Sequence, residues 1–273
     1  MKMDDIDFLI IGAAKSATTW LQRSLQADPK IYLPNPELHY FSREYERGDD
    51  WYLNQYQPTE ETVLIGEKSN SYMEVPYAAE RVAKSLPNAR LIVQLRNPVD
   101  RAYSDYCMLY RRGEVGRNVE DHLDPRKNAD KRFIADGFYC EQIQRFADLY
   151  PKDRILVLLY EDVKTDPTKN VALTRAFIGA DEEAPPMSAQ SKVKDKTTPM
   201  IDPSLKRWLK PLKPIVQPFR GNKYFKKLHS RVAAPIEYPE MTGDIRQRLI
   251  EHYASETARL SALTGRDLTD WVR

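Results

Sequence analysis

The sequence of 273 residues contains only two cysteines, Cys107 and Cys140, which is too few for a disulfide framework or a cysteine-rich metal site. No apolar run approaches the roughly 20 residues that a membrane-spanning helix needs. The first residues, MKMDDIDF, hold no apolar run of signal-peptide length before the first predicted strand. These absences argue against a disulfide-rich secreted domain and a transmembrane segment, and they predict a cytoplasmic protein.

Net charge is also small, at +2 from 42 Lys and Arg against 40 Asp and Glu, but it is unevenly distributed. Between Ser191 and Arg231, twelve basic residues stand against only Asp195 and Asp202, so this segment carries +10 and the rest of the chain carries −8. Such a basic segment favours an anionic ligand, an anionic substrate or a membrane surface. The alternative is a solvated loop without a ligand.

The stretch FLIIGAAKSATTW, residues 8–20, lacks the G-x-x-x-x-G-K-[ST] pattern of nucleotide triphosphatases. What it has is an apolar strand, a turn of small residues around Lys15, and two threonines that begin a helix. Main-chain N–H groups at the start of a helix form a binding site for anions. The stretch therefore predicts a phosphate-binding loop, and the alternative is a solvent-facing lysine in a strand-to-helix turn.

Short apolar runs alternate with helical segments along most of the chain. Strands are predicted at 6–12, 62–69, 89–96 and 154–160, with a short extended piece at 30–34. Helices are predicted at 18–27, 49–56, 74–87, 97–112, 138–150, 167–179 and 242–263. This alternation predicts an α/β fold with a central parallel sheet flanked by helices. We expect a single domain over 1–273, in which the proline-rich segment 180–240 forms loops or short helices.

Polar residues follow three of the predicted strands, in Gly12–Thr19, in Glu67–Ser69 and at Arg96. Ligands of open parallel sheets bind beyond the carboxyl ends of the strands, so we expect these three points to converge. Arg96 is suited to a bidentate contact with a phosphate, and Ser104 lies two turns into the next helix, from which its hydroxyl can reach the same group. The alternatives are a surface ion pair for Arg96 and helix packing for Ser104.

Glu37 and His39 lie in the rigid segment NPELHYF, where alternate side chains face the same side if the backbone is extended. Either side chain can take a proton from an incoming nucleophile. The alternatives are a solvent-facing carboxylate and a packed, hydrogen-bonded imidazole. Tyr40 and Tyr72 belong to a group of aromatic residues that line an acceptor-binding mouth or, alternatively, form part of the core.

The segments IIGAAKSATTW, PELHYF, GEKSNSY, LIVQLRNPVDRAYSDY and LTGRDLTDW, in this order, resemble the sulfotransferases that use 3′-phosphoadenosine 5′-phosphosulfate (PAPS). The nearer resemblance is to the branch that contains heparan sulfate sulfotransferases and many bacterial relatives. It implies a P-loop-like fold and transfer of a sulfuryl group to a hydroxyl or amine of a glycan or small-molecule acceptor. No metal and no nucleic acid are expected, and the resemblance leaves the oligomeric state open.

The resemblance also implies roles for individual residues. Glu37 would be the general base with His39 as its helper, Lys15 would lie near the bridging oxygen, and Lys68 would lie near the sulfate or the acceptor. Arg96 and Ser104 would bind the 3′-phosphate. The loop around the 5′-phosphosulfate would consist of Ala14, Lys15, Ser16, Ala17, Thr18, Thr19 and Trp20.

Two features depart from the family pattern. Ala17 stands where the family usually has glycine, so we expect this residue to avoid positive φ. No glycine-bearing motif that closes over the nucleotide is recognisable, and 220–227 or 192–196 would have to substitute for it. Two rival functions remain at this point, namely a small-molecule kinase on a P-loop scaffold and a non-catalytic nucleotide-binding module.

Overall fold

The computed structural model describes residues 1–181 and 235–273. The described residues form two compact units, the first from 1–97, 138–181 and 255–273, and the second from 98–137 and 235–254. Both predicted lid segments, 192–196 and 220–227, lie outside the described residues, and the single-domain organisation stays a prediction.

The first unit contains a five-stranded sheet in which every neighbouring pair of strands is parallel. Its spatial order is β2-β3-β1-β4-β5. The strands are Phe8–Gly12 (β1), Ile31–Tyr32 (β2), Leu64–Lys68 (β3), Arg90–Leu95 (β4) and Ile155–Leu159 (β5). The predicted α/β fold with a central parallel sheet is therefore confirmed, and the four longer strands lie within two residues of their predicted bounds.

Helices follow or precede the strands as the alternating pattern predicted. In chain order they are Thr18–Leu25 (α1), Gly48–Leu53 (α2), Ser71–Glu74 (α3), Ala78–Ser85 (α4), Pro98–Arg112 (α5), Glu120–Leu123 (α6), Pro125–Asn128 (α7), Arg132–Ala135 (α8), Tyr139–Ala147 (α9), Tyr160–Thr165 (α10), Pro167–Ile178 (α11) and Gly243–Thr264 (α12). Short α6, α7 and α8 were not predicted, because a helix of one turn is too short to show a hydrophobic period. In the described residues, no helix combines the length and the apolar character that crossing a membrane requires.

Local chemistry explains where several helices begin and end. Asp166 caps α11 by accepting a hydrogen bond from the backbone N–H of Lys169 at 2.9 Å, and Pro167 occupies the first turn. The same helix ends at Gly179, which has the left-handed conformation with φ of 83°. The helix predicted over 74–87 begins only at Ala78, because Val75 is extended, as is usual for a residue before proline.

Both faces of the sheet are covered, which explains the continuous apolar runs of its strands. Phe8 and Ile10 belong to a hydrophobic cluster with Ile92, whereas Leu9 and Ile11 belong to a second, larger cluster. Successive side chains of a strand point to opposite faces, so β1 contributes side chains to both clusters and all five of its residues are buried. The central strand thus fixes the position of the loop that follows it.

Gly66 in β3 lies directly opposite Phe8, and a Cβ atom there would be 2.3 Å from Cζ of the phenyl ring. We expect Gly66→Ala to destabilise the fold by about 1–3 kcal/mol because the ring cannot move within the packed cluster. Gly243→Ala is the matched control, since no heavy atom lies within 4 Å of its Cβ position. Urea unfolding followed by circular dichroism measures both variants, and equal midpoints would contradict this account of β3 packing.

Candidate active site

The loop between β1 and α1 presents main-chain N–H groups at the carboxyl edge of the sheet. The first backbone hydrogen bonds of α1 run from Trp20 and Leu21 to the carbonyl oxygen of Ala17, at 2.9 and 3.1 Å. Thr18 and Thr19, the first two residues of the helix, therefore have N–H groups without an acceptor inside it. This arrangement suits an anion, because the amide groups and the helix dipole both favour negative charge there.

The backbone of this loop differs from the expectation for Ala17. Lys15 and Ala17 both have positive φ, at 72° and 66°, so the expectation that Ala17 would avoid this region is wrong. The physical reason lies in Gln94 of β4 and in Arg96, which directly follows that strand, because both side chains hold the loop. Gln94 donates from Nε2 to the carbonyl oxygen of Ser16, and Arg96 donates from Nη1 to that of Lys15 at 3.3 Å. These contacts fix the loop in a conformation that a family glycine would adopt without strain.

Two buried polar atoms beside this loop have no hydrogen-bond partner within the part of the chain that the structure describes. They are Oγ of Ser16 and Nε of Arg96. The Arg96 guanidinium lies over the ring of Tyr160, 4.7 Å from its centroid, which leaves its edge available for hydrogen bonds. Buried donors of this kind normally have partners, so their presence at the loop fits a bound phosphate or sulfate group.

Glu37 is the centre of a hydrogen-bond network next to the loop. Its Oε1 accepts from Nζ of Lys68 at 2.7 Å and from Nδ2 of Asn70 at 3.2 Å. Its Oε2 accepts from the backbone N–H of Asn70 at 2.9 Å. The carboxylate is one-quarter exposed, whereas the Lys68 side chain is only 3% exposed. The structure thus places Glu37 and Lys68 together, at the end of β3.

The two partners of Glu37 also contact the phosphate-binding loop. Lys68 donates from Nζ to Oγ1 of Thr19 at 3.2 Å. Thr18 donates its hydroxyl to Oδ1 of Asn70 at 2.8 Å. Lys15 lies within the same loop, so the ends of β1 and β3 converge as predicted. The sequence did not predict Asn70 as a site residue, because a single asparagine after a strand has no pattern that separates it from an ordinary turn residue.

His39 lies beside Glu37, with 3.9 Å between Nε2 of the imidazole and Oε2 of the carboxylate. Nδ1 shares a hydrogen bond with Oγ of Ser71 at 2.7 Å, and the backbone N–H donates to Oγ of Ser69 at 2.9 Å. Burial lowers the pKa of His39, against the opposing effect of the Glu37 carboxylate. This shift favours the neutral imidazole, which is the form that can accept a proton.

Tyr40 and Tyr72 do not lie at an open mouth. Both are in the core, at 1% and 0% exposure. Tyr40 donates its hydroxyl to Asp49 at 2.6 Å, and Tyr72 donates to both carboxylate oxygens of Glu67 at 2.8 and 2.9 Å. The prediction that these tyrosines contact an acceptor is therefore corrected, because each is buried and its hydroxyl is used internally.

Glu67 is a buried carboxylate that the sequence did not single out. It accepts hydrogen bonds from the hydroxyls of Tyr52, Ser69 and Tyr72, and Tyr56 in turn donates to the hydroxyl of Tyr52. Burial raises the pKa of Glu67, while the three hydroxyl donors oppose this shift. The network anchors β3 at the residue before Lys68.

The remaining predicted residues are located as follows. Ala14 lies at the start of the loop, and Trp20 is a half-buried residue of α1 that packs against the Phe8 and Ile10 cluster. Ser104 lies in α5, which belongs to the second unit, and its role with Arg96 stays a prediction. No group of three or more His, Cys, Asp or Glu side chains within 1–181 and 235–273 is arranged to hold a metal ion.

The family is shown by a sequence comparison. Residues 5–200 match the model described as "Sulfotransferase domain", which is more than two thirds of the chain. The chain therefore belongs to the sulfotransferase family, and the predicted family and P-loop-like fold are confirmed. This match does not support the two rival functions, a small-molecule kinase on a P-loop scaffold and a non-catalytic nucleotide-binding module.

Curated relatives agree with this family. The chain is 28% identical over 287 aligned residues to the human bifunctional heparan sulfate N-deacetylase/N-sulfotransferase 1, covering 97% of this chain and 30% of the relative. It is 29% identical over 191 residues to the type 2 enzyme of Bos taurus, covering 63% of this chain and 22% of the relative. The chain thus spans less than one third of the length of these relatives.

Solved structures show the same architecture. A sulfotransferase from Alicyclobacillus acidocaldarius aligns with a TM-score of 0.74 and 26% identity, covering 98% of this chain and 99% of the other. The sulfotransferase domain from the curacin biosynthetic pathway aligns with a TM-score of 0.51 and 14% identity, covering 96% and 98%. At that identity the second likeness concerns the fold alone.

The positive φ of Ala17 leads to a stability prediction. A non-glycine residue in the left-handed region costs about 1–2 kcal/mol, so we expect Ala17→Gly to stabilise the protein by about 1 kcal/mol. Ala254→Gly is the control, because Ala254 is an exposed residue inside α12 and should lose about 1 kcal/mol on the same substitution. Chemical denaturation gives both values, and a loss of stability in both variants would show that the loop does not hold Ala17 at positive φ.

Proposed function

We propose that this protein transfers a sulfuryl group from PAPS to a hydroxyl or amine of a glycan or small-molecule acceptor, with Glu37 as the general base. The observation that carries the proposal is the position of Lys68. Its ammonium group lies 2.7 Å from the Glu37 carboxylate and 3.2 Å from the hydroxyl of Thr19 in the phosphate-binding loop. A proton-accepting group and an anion-binding loop are thus within reach of one side chain.

The residues at the loop fit a sulfated nucleotide. Loop amide groups and the Lys15 ammonium favour negative charge, as do the Ser16 hydroxyl and the Arg96 guanidinium nitrogen, which have no partner among the described residues. When bound, PAPS supplies the sulfuryl group and a phosphate leaving group. Arg96, with Ser104 as a further proposed contact, would recognise the 3′-phosphate and so distinguish this donor from ATP.

Glu37 has the hydrogen-bonding capacity that a base requires. A carboxylate has about four acceptor positions, and three are used by Lys68 and Asn70. No donor from residues 1–181 or 235–273 occupies the remaining position, on Oε2, which can take the proton of an attacking hydroxyl or amine. The neutral imidazole of His39, 3.9 Å from the same oxygen, lies where it can assist in orienting that nucleophile.

Lys15 and the loop amides act on the leaving group, whereas Glu37 acts on the attacking acceptor. They stabilise negative charge on the departing phosphate oxygen, and preorganised donors of this kind commonly contribute about 2.7–4 kcal/mol each. The ammonium charge and the amide dipoles supply the positive charge here, so we expect transfer without an added metal ion. Lys68 donates to both Glu37 and Thr19, which keeps the base and the loop at a fixed separation.

The acceptor class is proposed from the relatives. The human relative is named as an enzyme that acts on heparan sulfate and is an N-sulfotransferase. We therefore propose that a glycan amine or hydroxyl should be tested first, followed by small natural products. The basic segment from Ser191 to Arg231 lies outside the described residues, and its contact with an anionic acceptor, like the cytoplasmic location, stays a prediction.

We expect Glu37→Gln and Lys15→Ala to lower the transfer rate by about 10²-fold or more, because each removes a charge that acts in the transition state. Glu60→Gln, at an exposed residue of the same type, is the control and should keep normal activity. The measurement is transfer of labelled sulfate from PAPS to a library of acceptors. Near-normal turnover of Glu37→Gln would remove Glu37 as the base and favour His39.

Donor recognition is tested separately from turnover. We expect 3′-phosphoadenosine 5′-phosphate (PAP), the desulfated product, to raise the thermal unfolding midpoint, whereas ATP with magnesium should not. Arg96→Ala should weaken PAP binding most strongly, measured by titration calorimetry, and Arg23→Ala on the exposed side of α1 should leave it unchanged. Unchanged affinity in Arg96→Ala would contradict the assignment of Arg96 to the 3′-phosphate.

A further inference from the structure

Asn70 uses every polar atom of its side chain within the site. It is the residue directly before α3, two positions after β3 ends, and it is half-buried. Its backbone N–H donates to Oε2 of Glu37 at 2.9 Å, and its Nδ2 donates to Oε1 at 3.2 Å. Its Oδ1 accepts the hydroxyl of Thr18 at 2.8 Å. One residue therefore contacts both carboxylate oxygens of the base and the first residue of the anion-binding helix.

We propose that Asn70 is a positioning residue that fixes the orientation of the Glu37 carboxylate relative to the phosphate-binding loop. This inference rests on the proposed function, because it assigns a role within the same transfer reaction. The terminal torsion of a glutamate has a broad energy profile, so a carboxylate held by one donor can rotate. Donors on both oxygens prevent this rotation, and only Asn70 donates to Oε2 as well as Oε1 among the described contacts of Glu37.

The orientation selects one oxygen as the base. Oε1 accepts from both Lys68 and Asn70, which fills its two acceptor positions. Within the described part of the chain, Oε2 accepts only the backbone N–H of Asn70 and keeps one position for the proton of the acceptor. Loss of the side-chain contact would open an acceptor position on Oε1 and leave one donor on each oxygen, Lys68 on Oε1 and the backbone N–H on Oε2. The carboxylate would then be held less firmly and neither oxygen would be selected, and a base that is misaligned in this way transfers protons more slowly.

Asparagine is the side chain that this position requires. Aspartate has no N–H donor and would place a second negative charge against Glu37, while it could still accept the Thr18 hydroxyl. Alanine would remove both side-chain contacts but keep the backbone one. The two substitutions therefore separate the contact with the base from the contact with the loop.

The test compares Asn70→Ala and Asn70→Asp in the full-length protein, using labelled sulfate transfer, PAP calorimetry and thermal unfolding. We expect kcat to fall by about 10-fold or more in both variants, as for loss of a hydrogen bond to a charged group, with PAP affinity changed by less than about 3-fold. Asn54→Ala, an exposed asparagine at the end of α2, is the control and should retain wild-type kcat.

The pH profile distinguishes positioning from a general structural defect. In Asn70→Asp, the acid limb of the kcat profile should move to higher pH, because a second carboxylate opposes ionisation of Glu37. A damaged fold would scale the whole profile down and lower the unfolding midpoint instead, and this result would overturn the inference. Wild-type kcat in Asn70→Asp would also overturn it, since the Thr18 contact alone would then be sufficient.

The failure of this inference differs from failure of the proposed function. If the wild-type protein binds PAP and transfers sulfate but Asn70→Ala does so equally fast, only the positioning role is wrong. If the wild-type protein transfers no sulfate to any acceptor and does not bind PAP, the proposed function fails, and the role of Asn70 in it fails too.

Discussion

The contact between Lys68 and Glu37 is the interaction on which the site depends. Lys68 is almost fully buried, and a buried ammonium group without an anionic partner is strongly destabilising. Glu37 provides that partner at 2.7 Å, and the hydroxyl of Thr19 accepts a second hydrogen bond. Because the two contacts come from different loops, the pairing that stabilises Lys68 also brings the base to the anion-binding loop.

The end of β3 gives this contact its geometry. Glu67 and Lys68 are neighbours in a strand, so their side chains leave on opposite sides. Glu67 is held among tyrosine hydroxyls in the core, while Lys68 reaches the site. Ser69, which donates to Glu67, also accepts the backbone N–H of His39. A buried carboxylate that takes no part in the proposed reaction thus helps to place two residues that do.

Much of the fold follows from local sequence pattern. Apolar runs predicted the strands, and the predicted helix over 167–179 corresponds to α11, whose ends are capped by Asp166 and Gly179, since these signals depend only on residues near in sequence. The candidate site was only partly predictable. Lys15, Glu37 and Lys68 were identified by their motifs, whereas Tyr40 and Tyr72 were assigned to an acceptor mouth although they are buried. A tyrosine that lines a pocket and one that fills a core have the same local sequence pattern.

The sequence by itself determined the α/β class, the strand-loop-helix proposed to bind an anion, and the charged residues available for chemistry. Only the tertiary structure decided which of these residues meet. Glu37 and Asn70 are separated by 33 positions, and their contact arises because parallel strands bring distant loops to one edge of the sheet. The left-handed conformation of Ala17 has the same origin, since Gln94 of β4 and Arg96, which directly follows that strand, donate to the carbonyl oxygens of Ser16 and Lys15 just before Ala17. Local pattern cannot encode such contacts, because each depends on residues that are distant in sequence and meet only in the folded protein.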